Sequence, residues 1–60
     1  MTFGEKLKKE RIKIGFKTQS SLARAINENP CYISRWENDI FIPSARNYKK
    51  LLKLFGLKSF

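Results

Sequence analysis

Histidine is absent from this chain of 60 residues, and cysteine occurs once, at Cys31. Together these exclude a conventional zinc site, which needs three or four His and Cys ligands. A lone cysteine also forbids an intrachain disulfide. The commonest general base is missing, and the few acids are scattered without a convergent pair. No enzyme, metal or cofactor is therefore expected. No apolar run approaches the roughly 20 residues of a bilayer span. The N-terminus lacks the apolar stretch of a signal peptide, so a cytoplasmic location is expected. Strand-type alternation, internal repeats and Gly/Pro-rich linkers are all missing. Residues 1–60 read as one domain.

What the chain has is basic charge. Thirteen Lys and Arg stand against five Asp and Glu, a formal net charge of +8 with a pI near 10.1. Such an excess in so short a chain points to a polyanion partner, and the bland alternative is a surface kept soluble by lysine. Hydrophobic residues make up 42% of the chain, enough to bury a small core rather than stay disordered. At this size stability must come from helix packing, with self-association as a further source.

Residues 3–14 read as a first helix, with Phe3, Leu7 and Ile14 on one face and Arg11 between the last two. Gly15 supplies its left-handed stop. Thr18 is a candidate N-cap for a second helix carrying Leu22, Ala23 and Ile26, with Asn27 beyond its end. Asn29-Pro30 opens a third helix: Asn caps, and Pro suits a first position whose N–H would lack a partner anyway. That helix runs to about Glu37. Residues 39–43 form a loop with the apolar triplet Ile40-Phe41-Ile42. Ser44 caps a fourth helix, with Tyr48, Leu51, Leu52 and Phe55 at i, i+3, i+4 and i+7, and Gly56 stops it. The expected fold is an all-α, compact four-helix domain.

The most informative stretch is Thr18 to Asn38. It holds two short apolar stripes, Leu22-Ala23-Ile26 and Ile33-Trp36, separated by a tight turn. Two such helices must cross steeply and share one small core, as in a helix-turn-helix. Trp36 reads as core beside Ile33 rather than as a stacking platform for single strands.

Laid out this way, the chain resembles the Cro/repressor-type (XRE) helix-turn-helix family of phage and bacterial regulators. Thr18-Gln19, Leu22-Ala23, the run Ile33 to Asn38, Pro43-Ser44 and Phe55-Gly56-Leu57 carry the resemblance, which spans about Phe3 to Leu57. It implies a lambda repressor-like DNA-binding domain whose partner is double-stranded DNA. It also implies that helix three is the recognition helix and that Gln19 and Asn38 bond phosphates on either side. Arg11 and Glu37 match a pair that the family buries as a structural salt bridge. The sequence departs from the family at Asn27 and Asp39, where Gly is usual, and at Arg46, where an acid is common.

Base contacts specify and phosphate contacts position. Arg35 is the best candidate reader, since its guanidinium can bond guanine O6 and N7 together; the alternative is a surface pair with Asp39. Asn29 has usable polar groups. Tyr32 either bonds a base or phosphate or rests on the turn. Pro30 and Cys31 are poor donors, suited to anchoring or to a thymine methyl. So thin a recognition helix leaves room for shape readout. Lys17 and Arg46 can add charge near the Gln19 phosphate. Lys6, Lys8, Lys9, Lys13, Lys49, Lys50 and Lys53 read mainly as solvated faces that attract DNA at long range.

The expected function is a sequence-specific transcriptional regulator, acting as a repressor. The alternative is a protein-interaction module on the same fold, an antitoxin or anti-repressor. Phe41, Ile42, Leu57 and Phe60 are expected to form an exposed apolar patch serving a weak homodimer, completed on DNA, or another protein partner.

Overall fold

The computed structural model describes residues 1–60. It contains four helices: α1 Phe3–Ile14, α2 Gln19–Ala25, α3 Pro30–Glu37 and α4 Ala45–Phe55. Local chemistry sets both ends of each. Thr2, Thr18, Asn29 and Ser44 sit at the N-caps in extended backbone, and each side chain accepts from an N–H of the first turn. At α1 the cap is reciprocal: Thr2 Oγ1 accepts from Glu5 N–H at 3.2 Å, and Glu5 Oε1 accepts from Thr2 N–H at 3.4 Å. This capping box satisfies two otherwise unpaired donors. The spacing from Thr2 to Glu5 is that of a capping box and agrees with a helix starting at Phe3.

All four helices end in the same closure. A residue with positive φ follows the last turn: Gly15 (110°), Asn27 (57°), Asp39 (59°) and Gly56 (69°). The next residue then donates its N–H back five positions. These bonds are Phe16 to Arg11 at 3.0 Å, Glu28 to Ala23 at 2.8 Å, Ile40 to Arg35 at 2.9 Å and Leu57 to Leu52 at 2.9 Å. This geometry satisfies carbonyls that the helix leaves free. Asn27 and Asp39 thus take the left-handed conformation that Gly takes more cheaply. Asp39 has an offsetting contact: its Oδ1 accepts from Gly4 N–H at 2.9 Å, at the start of α1.

Seven side chains form the core: Leu7, Leu22, Ala23, Ile26, Ile33, Trp36 and Leu51. Every helix contributes to it. α2 packs on α3, α1 packs across α3, and α4 leans on α1. Phe3, Phe16, Leu54, Phe55 and Phe60 close over this cluster. No helix is long and apolar enough to cross a membrane.

Two expectations need correction. Ile14 does not join the Phe3–Leu7 face; it is 40% exposed. A seven-residue spacing falls short of two full helical turns, so the stripe drifts by about 20° between Leu7 and Ile14. The chain also turns at Gly15, and Phe16 packs on the core instead. Phe60 does not extend an exposed patch either. Its ring lies 5.0 Å from that of Phe3, 5.7 Å from Tyr48 and 5.8 Å from Phe55, centroid to centroid. Its N–H donates to Tyr48 Oη at 3.2 Å, and its carbonyl accepts from Lys6 Nζ at 2.9 Å. Aromatic edges and two hydrogen bonds therefore fold the tail back between α1 and α4. Leu57 is half-buried, so Phe41 and Ile42 remain as the exposed part of the expected patch.

Candidate nucleic-acid interface

The site is built on a buried ion pair. Arg11 Nε donates to Glu37 Oε2 at 2.7 Å, with both side chains about 95% buried (5% and 4% exposed). The rest of each group is satisfied nearby. Arg11 Nη1 donates to the Phe16 carbonyl at 2.8 Å, and Gln19 Nε2 donates to Glu37 Oε1 at 3.1 Å. One carboxylate thus ties α1, the start of α2 and the end of α3 together. Charge-assisted bonds of this kind fix geometry more firmly than neutral ones. They set how α3 stands relative to α2.

This network changes what Gln19 can do. One amide hydrogen is used inside the protein, so a phosphate contact would fall to the other or to the backbone N–H groups at the start of α2. Asn38 is similarly engaged: its Nδ2 donates to the Ser34 carbonyl at 2.8 Å. Lys17 and Arg46 are exposed, on the loop before α2 and the first turn of α4. Lys50 is not a free surface cation. Its Nζ donates to the Ile26 carbonyl at 3.2 Å, capping the end of α2.

Along α3, Asn29, Pro30, Cys31, Tyr32 and Arg35 are all exposed, while Ile33 and Trp36 point inward. Asn29 Oδ1 is occupied, accepting from Cys31 N–H at 2.9 Å, which leaves its amide donors to solvent. The Tyr32 ring stacks on Trp36, centroids 6.3 Å apart and planes 13° apart. It rests on its own helix while remaining 44% exposed. Arg35 does not pair with Asp39, whose carboxylate is held by Gly4. The Arg35 guanidinium carbon instead lies over the Phe41 ring, 5.7 Å from its centroid.

Tyr32, Arg35, Phe41, Ile42 and Ser44 line a cleft of about 360 Å³ between α3 and the loop that follows it. Ser20 and Arg24 of α2 line a second hollow beside Pro30. Arg24 was missed as a site candidate, and Phe41 was expected in an apolar partner patch rather than beside Arg35. The signal for Arg24 was its place two residues past Leu22, off the apolar stripe. The apolar triplet marked Phe41 as exposed, but its contact with Arg35 gave no local signal, because it depends on the turn at Asp39.

The electrostatics follow in part from where three of the five acids go, while Glu28 stays in the hollow beside Pro30. Glu37 is neutralised by Arg11, Asp39 is bound to α1, and Glu5 closes a cap. The outer side of α3 therefore carries Arg35 and no acid. The sequence profile of the helix-turn-helix family matches residues 7–60. Nothing among curated proteins or solved structures matches the chain. With nine-tenths of its length matched and four helices in this order, the chain belongs to the Cro/repressor-type (XRE) helix-turn-helix family and is a regulator of transcription that binds double-stranded DNA.

Proposed function

We propose that the protein is a sequence-specific repressor that inserts α3 into the major groove. The observation carrying this is the exposed row Asn29, Tyr32 and Arg35 on a helix whose one acid, Glu37, is buried and neutralised. Arg35 reads a guanine, with Asn29, Tyr32 and the small surfaces of Pro30 and Cys31 beside it. Lys17, Arg46, Gln19 and Asn38 hold the backbone on either side. With Lys17, Arg46 and one to three neighbouring cations on the phosphates, log K should fall against log salt with a slope of about −3 to −5. Fluorescence anisotropy across a salt series measures it. A slope near zero on duplex DNA removes the proposal.

The exposed loop supports a second element. Ile40, Phe41 and Ile42 are 63%, 56% and 80% exposed in succession. A run of this kind marks a partner surface. A weak symmetric dimer through this loop, completed on DNA, places two recognition helices about 34 Å apart. Sedimentation with an operator duplex should give two proteins per site, and Ile42→Ser should reduce this to one. One parent protein per site would exclude the dimer. Stable capture of a different protein by the same loop would favour the antitoxin or anti-repressor reading.

A further inference from the structure

The side chain that orients the base reader lies outside the recognition helix. We infer that Phe41 is a specificity-determining positioning residue: it holds the Arg35 guanidinium in place while leaving its hydrogen-bond donors free. This rests on the reading of Arg35 as a base contact.

Several local features deliver Phe41 to that position. Asp39 turns the chain at φ 59°, and Ile40 N–H bonds back to the Arg35 carbonyl at 2.9 Å. The Asp39 carboxylate anchors the turn to α1 through Gly4 N–H. On the far side Pro43 is buried. The loop is thus pinned at both ends, and its middle residue returns alongside the last turn of α3. The Phe41 ring then meets the Arg35 guanidinium, 5.7 Å from carbon to centroid.

The chemistry of that contact matters. Had Arg35 paired with a carboxylate, its in-plane N–H groups would be consumed. An aromatic face attracts the cation through its quadrupole and takes none of those donors. Guanine recognition needs two parallel donors in one plane. A ring on the guanidinium narrows the rotamers of a long, mobile side chain and keeps both donors available.

The test compares affinity for the selected duplex with affinity for the same duplex carrying the wrong base pair at the guanine position. Arg35→Ala should reduce discrimination at that pair by about tenfold or more. Phe41→Leu keeps an apolar side chain and removes the quadrupole. It should lower discrimination at the same pair several-fold, and lower affinity for random duplex by less than that. Phe41→Trp should restore discrimination, since Trp binds cations best. Phe41→Leu added to Arg35→Ala should change nothing further. Without DNA, Phe41→Leu should also abolish the ring-current shift of the Arg35 side-chain protons in NMR spectra. Phe41 is half-exposed, so thermal melts of all variants should match the parent. If Arg35→Ala loses discrimination but Phe41→Leu retains it, the positioning role is wrong and the base-reading role stands. If Arg35→Ala retains discrimination, base reading by Arg35 is wrong and the inference falls with it.

Discussion

Arg11→Met should destabilise the protein severely. The substitution keeps most of the side-chain volume and removes the charge. Glu37 would then be a carboxylate about 95% buried, with only the Gln19 amide to face it. Breaking a buried pair from one side typically costs about 3–5 kcal/mol, because the remaining ion cannot recover its hydration. A chain of this length has roughly 3–9 kcal/mol of total stability. The loss is therefore between about a third and the whole of what is present. The Phe16 carbonyl also loses its donor, loosening the turn after α1. Circular dichroism melts check this: Tm should fall by more than about 12 °C, given roughly 4–8 °C per kcal/mol for a small domain. Replacing both partners, Arg11→Met with Glu37→Leu, should recover much of the loss, because no buried charge is left unpaired. Recovery would assign the cost to the orphaned carboxylate. A single variant melting within a few degrees of the parent would show that water reaches Glu37 and that the pair does not support the fold.

Features specified within one turn of chain were legible in the sequence. Thr18, Asn29-Pro30 and Ser44 announce helix starts through side-chain chemistry that acts over two or three residues. Gly15 and Gly56 announce stops, and Asn27 and Asp39 do so less plainly. Leu22, Ala23, Ile26, Ile33 and Trp36 showed the paired stripes of the helix-turn-helix. What was not legible depends on contacts between distant segments. Ile14 looked like core because spacing alone does not say where the chain turns away. Phe60 looked exposed because nothing near it in sequence reveals Phe3 or Lys6. Lys50 read as solvated because its partner is a carbonyl 24 positions away. The site divides the same way. The exposed positions of α3 follow from the periodicity of Ile33 and Trp36. The hydrogen bond that engages Gln19, the turn that brings Phe41 to Arg35 and the carboxylate that anchors the turn do not.

Gly4→Ala should destabilise the protein, although it replaces glycine inside a helix. By propensity alone the change would favour folding by about 0.5–1 kcal/mol. Packing decides otherwise. A Cβ at position 4 would meet the carbonyl oxygen of Glu37 first. It would also lie 2.7 Å from the Glu37 carbonyl carbon and 2.8 Å from the Trp36 carbonyl oxygen. These are backbone atoms at the end of α3, and they have no rotamer with which to move aside. The two helices are also tied together on either side, by Gly4 N–H on Asp39 and by Arg11 on Glu37. Relief requires α1 to lift from α3, which strains both bonds. Overpacking of this kind costs about 1–3 kcal/mol, sometimes more. The expected net effect is a loss of about 1–2 kcal/mol, a fall in Tm of roughly 5–15 °C. Because the displaced segment is the end of the recognition helix and the turn carrying Phe41, DNA affinity should fall even where the variant remains folded. Melts and anisotropy on one preparation separate the two effects. A rise in Tm, as helix propensity alone would give, would mean that α1 and α3 do not approach so closely in solution.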